Sequence, residues 1–487
     1  MIYPVKYPKQ TSWKIVYNDF DGFSRKAVEF LSREVGKFIL REDGVYKLYV
    51  LPCEKEGTQT PINAIFVSVY DKSETVQKFI PQDEVAQNDY CIKVLVNPDN
   101  EDGRFVVITA KDEKNLFYGA EAFVDNYLPM CAPIHGGLRI PQWMFNFKMP
   151  VYTLNESAKI QTRSVFTWGH PINDYRAYIR NLARLKLNQV IIWNDYTPLN
   201  AKEIIEYAHE FGLEVIWGYS WGWNEGGKLN SLDDEFLQKL KAKVLQEYEE
   251  HYKPLNCDGI YFQSFTEMSK EYIGDKLIAR VVTDFVNDTV AEFFKREPKI
   301  KIQFGLHATS IKNHLDELAR VDKRVEIVWE DCGTFPFGYT PIVRDEQAYE
   351  QTLELTKKII ALRGDAPLGL VIKGFMTLDW ETFVSQNGPF IMGENDHTLL
   401  KKDAEMRKPI WQIFNAGWTA YGEYALRLIQ EAYKMTNGKI NICMAGAFDG
   451  GIALAQALCA EMIFNPEQDF KTLLHKVTSR QGVIEYE

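Results

Sequence analysis

The chain has 487 residues, 46% of them hydrophobic and 25% charged, with a formal net charge of -11 and a pI near 5.4. That length suggests two or three domains at roughly 100–200 residues each, and an acidic chain without a long Lys/Arg run excludes a binder that tracks a phosphate backbone. No stretch approaches the roughly 18 apolar residues of a membrane span.

Seven cysteines, at positions 53, 91, 131, 257, 332, 443 and 459, are odd in number and lack CxxC spacing. They read as free thiols in a reducing compartment rather than disulfides or a zinc site. With no apolar leader in MIYPVKYPKQ, the expected location is cytoplasmic.

In chain order, residues 13–17 are strand-like and 24–39 carry a helical period. Residues 46–51, 62–70, 90–96 and 104–110 alternate or run apolar like strands. A helix over 113–127 places Leu116, Phe117, Ala120 and Phe123 on one face. These elements predict a small α+β domain over 1–132, a largely antiparallel sheet with helices on one side, whose role is packing and positioning. Pro- and Gly-rich sequence over 133–150 marks a linker, taken to span 133–159.

From residue 160 the pattern changes to short apolar strands alternating with amphipathic helices. The strands read as 162–167, 189–193, 214–219, 259–263, 300–306, 325–329, 369–373 and 440–444. Helices read as about 173–187, 200–211, 232–252, 276–296, 311–319, 346–363, 401–436 and 451–463. Eight strands and eight helices in strict alternation predict an α/β fold, a (β/α)8 TIM barrel over 160–487 with a C-terminal tail, preceded by the α+β domain.

In such a barrel the residues just past each strand's C-terminal end share one pocket. The first two strands deliver Trp168, His170, Trp193, Asn194 and Asp195, and the third Tyr219, Trp221 and Trp223. The fourth, within CDGIYFQSFTEM, delivers Phe265 and Glu267, and the fifth His307. The sixth delivers Trp329, Glu330, Asp331 and Tyr339, and the seventh Asp379, Trp380 and Glu381. Aromatic walls with carboxylates between them suit a sugar, whose C–H face packs on an indole while its hydroxyls bond the polar groups. Tryptophans at strand ends can instead cap the core. In GYSWGWNEGG, however, Trp221 and Trp223 sit in a Gly-rich loop where core packing is hard to arrange.

Cleaving a glycosidic bond usually takes one protonated and one ionised carboxyl group across it. Glu267 follows Phe262 and Phe265, apolar neighbours of the kind that raise a carboxyl pKa, and is the candidate acid. Asp379, Glu381, Glu330 and Asp331 are candidates for the ionised partner, and one of the adjacent pair Glu330 and Asp331 could act as a helper. No cofactor or metal is called for: His170 stands alone where metal-dependent barrels carry His-x-His, and His209, His251 and His314 fall on helices. GxGxxG, GxxxxGK[ST] and GxSxG are all absent. Lys373 in the seventh strand raises a Schiff-base aldolase, although an ion-paired barrel lysine is commoner.

The order of parts resembles glycoside hydrolases of the α-glucuronidase (family 67), hexosaminidase and O-GlcNAcase kind. GRFVVITAKDEKNLFYGAEAFVDNYL is similar to the end of their shared accessory domain. Ser-Phe-Thr-Glu267 resembles the segment that carries the general acid in family 67, and GFMTLDW the segment with a catalytic carboxylate, which points to Asp379. Two features depart from these patterns. Thr266 stands where hexosaminidases carry Asp, which argues against substrate-assisted chemistry on an N-acetyl group. The sixth-strand segment WEDCGTFPFGYTP has no basic residue for a uronic acid, Arg344 being the nearest.

The expected function is an exo-acting glycosidase that trims a terminal sugar from an oligosaccharide, with no nucleic acid or membrane as partner. Two alternatives stand beside it. One is a barrel that binds carbohydrate without turnover. The other is a sugar-phosphate isomerase or aldolase, hinted at by Gly446, Gly450 and Gly451 near a possible phosphate site.

Overall fold

The structure is a computed structural model that describes residues 13–484 apart from 37–50, 58–60, 129–133, 136–137, 140–148, 168–171, 195, 224–231, 267, 269, 308–309, 331–336, 339, 344, 376–388, 447–450 and 481–482. Contacts group the chain into two compact units, residues 1–158 with 475–482, and 159–474 with 483–487.

The first unit is built on a six-stranded sheet in the order Cys53–Lys55, Trp13–Tyr17, Asn63–Val69, Asn100–Ala110, Tyr90–Asn97, Tyr152–Glu156. It is mixed rather than largely antiparallel. Trp13–Tyr17 runs parallel to both of its neighbours, and Asn63–Val69 runs parallel to Asn100–Ala110. The cause is the helix Gly22–Gly36 between the first and second strands in sequence, since a crossover of that length returns the chain in the same direction. Only the tight turn at 97–100 and the edge strand Tyr152–Glu156 make antiparallel pairs.

That edge strand lies within the segment expected as linker. Its sequence YTLNE alternates Tyr152 and Leu154 with polar residues, but it is only five residues long and fully buries only Glu156, so its apolar signal is weak. What holds it is the ladder to Tyr90–Asn97, a hydrogen bond from the Tyr90 hydroxyl to Glu156, and the Lys476 ammonium 2.8 Å from the same carboxylate. Residues 475–482, expected to trail the barrel, therefore group with this unit. The expected strand at 46–51 lies mostly outside the described residues.

The second unit is a closed barrel of eight parallel strands: Thr162–Phe166, Gln189–Trp193, Glu214–Ser220, Gly259–Gln263, Lys301–Leu306, Glu326–Trp329, Leu368–Ile372 and Asn441–Ala445. The eighth strand pairs with the first over five residues, Asn441 opposite Thr162 through Ala445 opposite Phe166. Helices alternate with the strands, and several begin on aspartate caps. Asp174, Asp233, Asp345 and Asp396 each accept backbone N–H bonds of the first turn, which satisfies donors the helix itself leaves unpaired. No described helix is long and apolar enough to cross a membrane. Among the described cysteines, Cys53, Cys91, Cys257, Cys443 and Cys459 are free.

The barrel interior is layered. At the N-terminal end Gln189 accepts from Asn441 (3.1 Å) and Gln303 (2.9 Å), and Asn441 donates to Glu326 (2.8 Å) while its own amide oxygen takes the Ser164 hydroxyl (2.6 Å). Above this polar floor lies a buried apolar layer of Phe166, Ile191, Ile216, Tyr261, Val328, Val371 and Cys443, closed by Trp193 and Ala445. Seven strands send a side chain into that layer. The fifth has Gly305 there, and the gap shapes the site above it.

Candidate functional site

A side chain built on Gly305 would overlap the Tyr261 hydroxyl and approach Glu330 Oε1 to 2.8 Å. The missing Cβ lets Tyr261 reach from the fourth strand across the fifth and donate to Glu330, which follows the sixth. Gln263, two residues along and on the same inward face, places its Nε2 3.1 Å from Glu330 Oε1, 3.3 Å from the Tyr261 hydroxyl and 3.2 Å from His307 Nε2. All four side chains are buried. They lie at the C-terminal ends of strands four, five and six, where this fold keeps its chemistry.

The electrostatics assign the protons. Burial, followed by the Glu330 charge, raises Tyr261 far above an ordinary phenol, so its hydroxyl stays protonated and donates. Burial, reinforced by the Lys373 charge, lowers His307 to about 3. The imidazole is therefore neutral, and its Nε2 is the acceptor for the Gln263 amide. Glu330 Oε1 thus accepts from both the Tyr261 hydroxyl and the Gln263 amide, which fix the carboxyl group in place. Lys373 is fully buried just past the seventh strand.

Beside this cluster stand the aromatics. Trp193 points inward and meets Tyr261 edge-on, ring centroids 5.9 Å apart. It lies over Gly218 of the third strand, where a Cβ would come within 2.6 Å of its ring. Trp223 packs on Trp193 edge-to-face at 6.2 Å. Both rings also line a cleft of about 690 Å³ that runs from Asn194, Tyr196 and Ser220 out to the helix Asp234–Glu247 and the turn Tyr248–Tyr252 that extends it. Within the cleft the half-buried Glu247 carboxyl is raised by burial, an effect that the charges of Lys243 and His251 oppose.

Four of the expected sugar-facing aromatics turn the other way. Tyr219 and Trp329 fall on outward positions of their strands, since Gly218, Ser220, Val328 and Glu330 hold the inward ones. Tyr219 borders the cleft, but its ring stacks on Tyr252 at 4.4 Å and its hydroxyl donates to the Val244 carbonyl. Trp329 donates from Nε1 to Thr356 on the helix Glu346–Arg363. Trp221 is wholly buried, stacked on Phe262 at 3.7 Å and on Phe293 at 5.4 Å. Its backbone N–H donates to the Gln263 carbonyl, and its backbone carbonyl accepts from the Ser264 hydroxyl; these bonds tie the end of strand three to strand four, while the indole packs into the strand–helix layer. Phe265 joins the same layer beside Phe285. The Gly-rich loop therefore divides its two tryptophans, Trp221 to the core and Trp223 to the mouth.

Of the remaining expected site residues, Trp193, Asn194, His307 and Glu330 are brought together with Trp223 around the mouth. Glu267, Asp331, Asp379, Glu381, Trp168, His170, Asp195, Tyr339 and Trp380 lie outside the described residues. Tyr261 and Gln263 escaped the sequence-based list because they belong to the strand rather than to the loop after it. Their signal was present: two polar groups alternating on one face at the C-terminal end of an otherwise apolar strand. Nothing in the sequence marked Tyr196, Gln246, Glu247 or Glu250 as neighbours of the mouth.

No family model matches the chain, and no curated protein sequence matches it. Among solved structures it is similar to a variant of the Streptomyces plicatus beta-hexosaminidase in complex with its product GlcNAc, at 10% identity and a TM-score of 0.46, over 96% of this chain and 89% of that one. A GH20 exo beta-N-acetylglucosaminidase from Vibrio harveyi aligns at 10% identity and a TM-score of 0.43, over 97% and 73%. The GH20 beta-N-acetylhexosaminidase from Streptomyces coelicolor A3(2) aligns at 14% identity and a TM-score of 0.42, over 74% and 70%.

Proposed function

We propose that this protein is a glycoside hydrolase that removes a terminal sugar from an oligosaccharide. The observation that carries the reading is Glu330, a buried carboxylate fixed by Tyr261 and Gln263 at the C-terminal end of the barrel, beside an indole wall of Trp193 and Trp223. In its ionised form a carboxylate held there stabilises the positive charge that develops at the anomeric carbon as the glycosidic bond breaks. Glu267 serves as the acid that protonates the leaving oxygen. Asp379 attacks the anomeric carbon or activates water, with Asp331 and Glu381 as its alternates. Trp193 and Trp223 take the apolar face of the sugar, and Asn194 and His307 bond its hydroxyls. Within the resemblance to family 67 and hexosaminidases, Thr266 before Glu267 favours direct carboxylate chemistry over participation by an N-acetyl group.

The test is hydrolysis of 4-nitrophenyl α- and β-glycosides (glucuronides, N-acetylhexosaminides, galactosides, glucosides, xylosides) by the wild type and by Glu267→Gln, Glu330→Gln and Asp379→Asn. One glycoside is expected to be cleaved, with each substitution lowering kcat by about a hundredfold or more, the scale of acid–base and electrostatic contributions. Hydrolysis that survives Glu330→Gln removes Glu330 from the chemistry. A protein that is stabilised against heat by a sugar yet cleaves none of the panel is a carbohydrate-binding barrel instead.

A further inference from the structure

We infer that the cleft beside the mouth is a subsite for a second, neutral sugar unit, so that the protein selects its substrate by the residue that follows the one it removes. This rests on the glycosidase reading for its chemistry, and on the cleft's own geometry for its location. The cleft, at about 690 Å³, is within the range of small-molecule sites. It shares Trp193 and Trp223 with the mouth, so a chain whose terminal unit lies against that wall continues directly into it. Tyr196 lies at its edge with 49% of its surface exposed, an aromatic face of the sort on which a pyranose ring stacks.

The polar groups indicate what kind of unit fits. Asn194 and Ser220 line the cleft as well, an amide and a hydroxyl of the kind that pair with sugar hydroxyls. From the helix side come Glu247 and Glu250, the latter held by Gln246 Nε2 at 2.8 Å. Among the described residues that line the cleft, Glu247 and Glu250 face one lysine, Lys243, with His251 beside them, so this wall is rich in acceptors and negative in formal charge. It therefore accepts from neutral hydroxyls and repels a uronate or sulfated unit.

The experiment compares kcat/KM on neutral trisaccharides (chitotriose, cellotriose, maltotriose, xylotriose) with kcat/KM on the matching 4-nitrophenyl monoglycosides, and adds trigalacturonic acid as the anionic probe. The variants are Gln246→Ala with Glu250→Ala, and Glu250→Lys, both at exposed helical positions where folding is retained. For the wild type one trisaccharide is expected to exceed its monoglycoside. In the double variant that ratio is expected to fall at least tenfold, and Glu250→Lys should shift discrimination toward the anionic probe.

A wild type with no length preference, or a ratio that both variants leave intact, overturns the subsite and leaves the glycosidase reading standing. If nothing is hydrolysed the glycosidase reading fails, and the cleft is then judged by tryptophan fluorescence titration with the same trisaccharides. A saturable change weakened at least tenfold in the double variant supports it, and no change overturns it.

Discussion

Gly305 and Tyr261 act as a pair. The absence of one side chain is what lets another reach the carboxylate, so the smallest possible substitution tests the arrangement. Gly305→Ala is expected to displace the Tyr261 ring, at an overpacking cost of about 1–3 kcal/mol, and to lower turnover together with Tyr261→Phe. The phenylalanine variant keeps the ring and removes only the donor to Glu330, costing about 1–3 kcal/mol for the buried acceptor left short of a partner. Urea denaturation and kinetics on the two variants check this. Destabilisation by Gly305→Ala with full activity would separate the tyrosine from the chemistry.

His307 makes a prediction in pH. Its folded pKa, about 3, lies below the roughly 6.5 of an unfolded histidine, so the unfolded chain binds a proton that the folded chain refuses. The contribution to stability is complete above about pH 6.5 and is lost as pH falls toward 3, at about 1.4 kcal/mol per pH unit. Between pH 7 and 5 the wild type should lose about 2 kcal/mol more than His307→Gln, since about 1.5 units of that interval lie below the unfolded pKa. Equal losses in parallel denaturation series would place the proton elsewhere.

At the scale of elements, the loop after the third strand shows how a chain allocates similar residues. Trp221 and Trp223 are two residues apart and were indistinguishable in sequence, yet one is stacked between Phe262 and Phe293 while the other edges Trp193. Trp221→Ala is expected to cost about 3–5 kcal/mol, as large core truncations do. Trp223→Ala is expected to cost less than half of that and to weaken sugar binding. Melting temperatures with and without a bound sugar distinguish the two, and a reversal of the pattern would mean that the mouth has been assigned the wrong indole.

For the whole barrel, closure brings first and last elements together. Lys186, after the first barrel helix Tyr175–Arg184, lies 3.8 Å from Glu461 on the last one, Leu454–Phe464, with both side chains buried and the ammonium 4.5 Å from the Phe464 ring centroid. Removing one partner leaves a buried charge. Lys186→Met is therefore expected to cost about 3–5 kcal/mol, whereas adding Glu461→Leu should recover most of it. A double variant no more stable than the single one would show that the ion pair is not the closing contact.

Local sequence determined the elements of this protein. Apolar runs of four to seven residues, spaced by amphipathic helices, place all eight barrel strands within a residue or two, because strand and helix periods are written in neighbouring residues. A strand such as YTLNE, whose Tyr152 and Leu154 are only half-buried and which is held by a ladder and the Lys476–Glu156 ion pair, leaves a fainter mark. Direction in the first sheet was equally hidden, since a crossover's path depends on where its helix packs. Only the tertiary structure decided which strand-end aromatics face the mouth, because inward parity continues into a loop just as far as backbone contacts such as those of Trp221 allow. It also decided that Glu330 is held from two strands away. That contact exists because Gly305, unremarkable in sequence, is a gap once three strands lie side by side.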